Sequence, residues 1–180
     1  MEKILYHNYH LKNTDTLKHL NMFIHPTAII YPNVTIEEDV YIGAFCIIGA
    51  SPEHLLHFGK DTNKGVTIRK GAIIHGHATI DQGIERNTEI GEGAFIMKAV
   101  HVGHDSIIGK NVIVSPHVVV GGHVVIGKDS NIGMGCIIHQ RKTIPNHCRI
   151  GMGSVVTKTS ELWSDGIFVG YPAHYLKPFK

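Results

Sequence analysis

From Ile90 to Val156 an aliphatic side chain falls at every sixth residue. The row is Ile90, Ile96, Val102, Ile108, Val114, Val120, Ile126, Ile132, Ile138, Ile144, Ile150 and Val156. An amphipathic helix repeats at about 3.6 residues and a half-buried strand at about 2, so neither produces this row. A period of six belongs to hexapeptide β-helices, where each short strand forms one wall segment and then turns a corner. With the aliphatic site as position one, position two is glycine at Gly91, Gly103, Gly109, Gly121, Gly127, Gly133 and Gly151, which predicts a tight corner there. Position five is small (Ala94, Val100, Ser106, Val112, Val118, Val124, Ser130, Cys136, Cys148 and Ser154), so positions one and five point into a narrow tube. Lys142 breaks that rule.

The row also runs through Ile24, Ile30, Ile36, Ile42 and Ile48, and returns out of phase at Ile68, Ile74 and Ile80. The phase breaks locate two excursions: a long one at about residues 50–65 (ASPEHLLHFGKDTNKG) and a short one around residues 82–87. Loops expelled from a solenoid wall often form its binding surface. Three hexapeptides close one triangular coil, so residues 18 apart stack. The expected fold is all-β, a parallel β-helix of about six to seven coils, roughly 30 Å long at about 4.8 Å per strand. Residues 1–22 form a lead-in, irregular or a short helix. Residues 23–158 form the β-helix domain. Residues 159–180, with Trp163 and GIFVGYPAHYLKPFK, form a tail expected to pack back on the prism rather than extend it.

Composition narrows the function classes. A chain of 180 residues is one domain by length, and 43% hydrophobic content is ample for a core. A net charge of +2 with mixed signs points to neither nucleic acid nor an anionic membrane. No apolar run approaches the roughly 20 residues of a membrane span. The start, MEKILYHNYHLKNTDT, lacks the apolar core of a signal peptide, so a cytoplasmic location is expected. Cys46, Cys136 and Cys148 all occupy position five and read as small buried hydrophobes rather than a disulfide framework.

Histidine is the unusual residue, with 15 copies. Most read as solvated wall or corner residues, but the 18-residue stacking gathers a few. His104, Gly122 and Gln140 share one edge on three consecutive coils, as do Asp105, His123 and Arg141. His101 sits one corner back, and His139 precedes Gln140. The stretches HVGHD, VGGH and HQR thus form one polar patch suited to acyl transfer. A neutral imidazole at His104 takes a proton from an incoming hydroxyl or amine. The Gly122 N–H holds a developing oxyanion, since glycine allows close approach. Asp105, or a backbone carbonyl, sets the His104 tautomer. No Ser or Cys with a partner stands in the patch, so direct attack is simpler than a covalent acyl-enzyme. Zinc is the rival use of clustered histidines, with His101 and His104 as the pair able to share a metal. A resident metal is not expected.

These motifs identify a resemblance. The run IHPTAIIYPNVTIEEDVYIGAFCIIG, the excursion with HLLHFG, then MKAVHVGHD, VGGH and IHQRKTIPNHCRIG follow the motif order of UDP-N-acetylglucosamine acyltransferases over about residues 24–156. The chain thereby resembles the left-handed β-helix acyltransferases of the hexapeptide-repeat superfamily. The resemblance implies His104 as general base, with Gly122 giving the oxyanion N–H. It implies that His101 and His123 line the site, and that His139 and Gln140 contact the acyl donor or the nucleotide sugar. It also implies a homotrimer with active sites between subunits, and an excursion that helps bind the nucleotide sugar.

The chain departs from that family at Leu56, where the family carries a lysine, and at its end. GYPAHYLK resembles the G-x-P-A-x-x-x-K tail of acetyl-coenzyme A sugar acetyltransferases, and a bulky Met152 suits a short acyl group. The expected function is therefore transfer of an acetyl or other short acyl group from coenzyme A to a hydroxyl or amine of a nucleotide-linked sugar. The donor is a co-substrate, and no tightly bound cofactor is expected. One alternative is an acyl-carrier-protein-dependent UDP-N-acetylglucosamine O-acyltransferase. Another is a zinc enzyme like the γ-class carbonic anhydrases. Aliphatic residues at position six, Ile107, Ile113, Val119, Val125 and Ile137, are expected to face outward as a trimer interface.

Overall fold

The computed structural model describes residues 22–60 and 62–179, so the expectation for the lead-in lies outside the described residues except at Met22. The chain winds into a three-walled parallel β-helix, and among the described residues there is no helix. The first wall begins at Phe23–Ile24 and steps through Tyr41–Ile42, Ile73–Ile74, Phe95–Ile96, Ile113–Val114, Asn131–Ile132 and Arg149–Ile150. The second runs from Ile29–Ile30 to Val155–Val156, and the third from Val34–Ile36 to Thr143–Ile144. Pairing follows the 18-residue offset, as in His101 beside Val119 and Ile107 beside Val125. Positions one and five fill the tube. From Ile90 to Val156 every position-one residue is at most 1% exposed. Each such Ile or Val contributes about 1.5–3 kcal/mol of burial.

The corners differ in mechanism from the expectation. The tight left-handed residue is position four, not position two: φ is +60° at Asp105, +59° at His123 and +60° at Arg141. Asn, Asp and His tolerate this region better than other side chains. His77, His117, His123 and His147 all occupy it, which accounts for part of the histidine excess. The position-two glycines answer to the next coil instead. A Cβ on Gly127 would stand 2.5 Å from the Asn146 backbone nitrogen, and one on Gly121 2.8 Å from that of Gln140.

The coil count exceeds the expected six to seven because the tail adds to the wall. Gly166–Val169 pairs in parallel with Arg149–Ile150, beginning an eighth coil, and His174–Pro178 then folds back antiparallel on it. The expectation that the tail would not extend the prism is corrected here. The six-residue row in fact continues through Leu162 and Phe168. Phe168 is fully buried, with Trp163 edge-on at 5.1 Å. One aromatic ring closes the end of the tube where the third wall has no further strand. The same ending explains Lys142. It lies on the last coil of the third wall, so its chain escapes the tube and Nζ donates to the Lys158 carbonyl at 3.2 Å.

The position-six residues do not form one stripe. Ile113 belongs to the first wall, Val119 and Ile137 to the second, and Ile107 and Val125 to the third. The period of six visits a new wall each time, and only every third member shares a face. The first wall carries the longest apolar ladder: Phe23, Tyr41, Ile73, Phe95 and Ile113. The edge between third and first walls is charged, with Lys110–Glu92 paired at 2.9 Å and Asn111 bonded to Asp129 at 3.0 Å.

Candidate active site

Both excursions leave the prism between the second and third walls. The long one follows Ile47–Ala50 and the short one follows Thr79–Asp81. His104 and Asp105 turn the same edge on the next coil, Gly122 and His123 on the one after, and Gln140 and Arg141 on the third. Register alone therefore stacks the predicted residues under both loops.

Asp105 is the anchor and is fully buried. Its Oδ1 accepts the backbone amides of Ile84, Glu85 and Arg86 at 3.0, 2.8 and 2.8 Å, so the short excursion wraps around the carboxylate. Its amide donates to Thr88 Oγ1 at 2.9 Å, and its carbonyl accepts Arg86 Nε at 2.8 Å. Burial raises the carboxyl pKa, but the amides of Arg86, Glu85 and Ile84 and the bond to His104 together hold it below its usual value. An ionised carboxylate only accepts. The 2.7 Å contact from Asp105 Oδ2 to His104 Nδ1 therefore puts the proton on Nδ1 and leaves the lone pair on Nε2.

Gly122 faces that nitrogen. A Cβ built there would lie 2.7 Å from His104 Nε2 and 2.9 Å from Cε1. Any side chain would fill the space in front of His104 Nε2. His123 packs edge-on to His104 at 5.1 Å, and its Nε2 is 3.5 Å from Asp105 Oδ2. Arg141 donates to the same Nε2 at 3.2 Å. Burial, ahead of the opposing pull of Asp105, lowers the His123 pKa, so its ring is neutral near pH 7.

Other predicted residues lie farther out. His101 stands on the second wall, with Nδ1 2.9 Å from Thr79 Oγ1 and Nε2 4.0 Å from Asp81 Oδ2. His139 and Gln140 are exposed, tied to each other by a 2.8 Å bond from His139 Nδ1 to the Gln140 carbonyl. Three participants were not foreseen as such. His54, in the long excursion, meets the His104 ring edge-on at 5.8 Å. Asp81 is buried beside His101, and burial first of all pushes its carboxyl pKa up to about 6. The backbone of residues 84–86 grips Asp105. The signal was present: the rows Ile48, Ile80 and Val102 stack on one wall, so both phase breaks open on one edge.

The residues His104, Asp105 and His123 bring three ligand-type atoms within 4.8 Å of one another. The 2.7 Å nitrogen–oxygen edge is shorter than the roughly 3.3 Å edge of a tetrahedron with zinc bonds of about 2.0 Å. The pair is spaced to share a proton. The three thiols stand apart from this site. Each donates to a backbone carbonyl at 3.0–3.1 Å, and burial pushes their pKa values up.

The family model for the bacterial transferase hexapeptide (six repeats) matches residues 87–122, which contain His101, His104, Asp105 and Gly122. The model for the hexapeptide repeat of succinyl-transferase matches residues 33–51 and 123–158. The chain belongs to the hexapeptide-repeat superfamily. Hexapeptide-repeat relatives also fit in three dimensions, and they imply the left-handed winding expected from the sequence. The UDP-N-acetylglucosamine acyltransferase from Campylobacter jejuni is 28% identical with a TM-score of 0.80, over 88% of this chain and 61% of that one. Two others share the fold. One is the UDP-N-acetylglucosamine O-acyltransferase of Moraxella catarrhalis (24% identity, TM-score 0.71, covering 87% and 75%). The second is a perosamine N-acetyltransferase mutant from Caulobacter crescentus, solved with CoA and GDP-perosamine (22%, 0.56, covering 87% and 56%). Among curated sequences, the carnitine operon protein CaiE of Proteus sp. (strain LE138) is 32% identical over 87 residues. That segment spans 48% of this chain and 44% of CaiE. No helix among the described residues is long and apolar enough to cross a membrane.

Proposed function

We propose that the chain is a cytoplasmic acyltransferase moving an acetyl or other short acyl group from coenzyme A to a hydroxyl or amine of a nucleotide-linked sugar. One observation carries this reading: the His104 Nε2 lone pair faces the side-chain-free surface of Gly122, on the edge from which both excursions emerge. His104 Nε2 takes the proton from the acceptor as its oxygen or nitrogen attacks the thioester carbonyl. The Gly122 amide donates to the oxyanion that forms. Collapse expels the coenzyme A thiolate, which takes up the proton from the imidazolium. Asp105 stabilises that imidazolium without itself becoming protonated. His101, His123, His139 and Gln140 contact the substrates.

The likeness to the Campylobacter jejuni enzyme supports a nucleotide-sugar acceptor, and the GYPAHYLK tail supports a coenzyme A donor. Met152 carries less of the donor argument than its sequence position suggests. It stands 79% exposed on the edge between first and second walls, three coils from His104. It would reach an acyl chain at His104 only from a neighbouring subunit. A coenzyme A-release screen across nucleotide sugars tests the reading, with a medium-chain acyl carrier protein as the competing donor. Acetyl-coenzyme A is expected to turn over. Turnover confined to the carrier-protein donor would favour the long-chain alternative. Stoichiometric zinc in the purified protein would favour the carbonic anhydrase-like alternative.

The assembly is a homotrimer with each site between two subunits, which would cover His139 and Gln140 and give the first wall's apolar ladder a partner. Light scattering is expected to report three copies of the 19.8 kDa chain. A monomer at micromolar concentration would remove the shared site.

A further inference from the structure

Asp81 is a buried carboxylate with an unused oxygen. Its side chain is 8% exposed, and Oδ2 has no hydrogen-bond partner. The Glu53 backbone amide of the long excursion points at the same carboxyl group, and the His101 and His104 rings and the Glu53 carboxylate are the ionisable neighbours that act on it. An orphaned buried acceptor is destabilising and calls for a donor from outside the protein. Asp81 Oδ2 lies 4.0 Å from His101 Nε2, too far for a direct bond. One oxygen placed about 2.8 Å from each would subtend an angle of about 90° between them, close to the spread of a hydroxyl's proton and lone pair. The Asp81 charge favours the His101 tautomer with the proton on Nε2, while Thr79 Oγ1 donates to Nδ1. The gap is then flanked by one donor and one acceptor. A hydroxyl satisfies both, and an ammonium, which only donates, does not. Oδ2 itself is closed to solvent, so a hydroxyl reaches it only as the His101 ring, 27% exposed, gives way on the outer side.

We propose that Asp81 and His101 form a subsite for a second hydroxyl of the acceptor sugar, one that is bound and not acylated. The proposal rests on the preceding reading only in taking the acceptor as a sugar. Calorimetric titration needs no acyl donor. The probes are UDP-N-acetylglucosamine, UDP-glucose and their 3-, 4- and 6-deoxy forms, against the wild-type chain and Asp81→Asn. For one deoxy position the wild type is expected to bind 10- to 100-fold more weakly. Asp81→Asn is expected to lose a similar factor on the parent sugar and nothing further on that deoxy form. His101→Gln is expected to show the same non-additivity, which a merely structural role would not. Losses that simply multiply would overturn the subsite. So would wild-type binding by Asp81→Asn, meaning that the oxygen holds only a structural water. Absence of binding by all of these sugars at millimolar concentration would overturn it too. Sugar binding with the expected pattern but no acyl transfer would sink the preceding reading alone.

Discussion

His104→Ala is expected to lower kcat by about 100- to 10,000-fold, the range general-base catalysis supplies. The acceptor KM should change little by comparison, since the imidazole acts on the proton in flight more than on the bound sugar. The fold should survive. His104 is a position-three residue on an outer corner, its side chain is 12% exposed, and the tube beneath is filled by positions one and five. The measurement is steady-state coenzyme A release beside a thermal melt. Turnover within tenfold of wild type, with a normal melt, would leave Nε2 without its role.

Asp105 yields the second large effect, with two arms. Asp105→Ala strips the acceptor from three backbone amides and is expected to cost about 3 kcal/mol, together with most of the activity. Asp105→Asn keeps an oxygen for those amides, so most of the stability should return. Its NH2 group would then donate to His104 Nδ1, move the ring proton to Nε2 and abolish the base. Stability recovered without turnover is the expected pair of results, read by denaturant melts and coenzyme A release. Recovery of both would show that tautomer control is not the function of this carboxylate. The pH dependence has a definite sign. The folded pKa lies below the usual 3.8, so this contribution to stability is complete above about pH 4. It is lost only as pH falls through the lower folded value.

The relation between the tail and the tube shows what a period can hide. Leu162 and Phe168 continue the row of six, yet the aromatic at 168 and the irregular residues between obscure it. The wall goes on because Phe168 closes the tube as well as an isoleucine would line it. The position-two glycines show the converse. Their recurrence was plain, but their cause lay in the next coil, at 2.5–2.8 Å from a missing Cβ, and not in their own backbone angles.

By itself the sequence determined the winding, because an aliphatic row at every sixth residue with small residues at position five fits a wall that turns a corner every six residues around a narrow tube. Strict 18-residue register followed, and with it the column of His104, Gly122 and Gln140. What the tertiary structure alone decided was chemical state. A carboxylate becomes an anchor when a loop 20 residues earlier turns three amides onto it. A second carboxylate, Asp81, becomes a candidate subsite only when burial leaves one oxygen without a donor. Periodicity fixes where side chains stand. Which protons they hold depends on distances between segments that no repeat encodes.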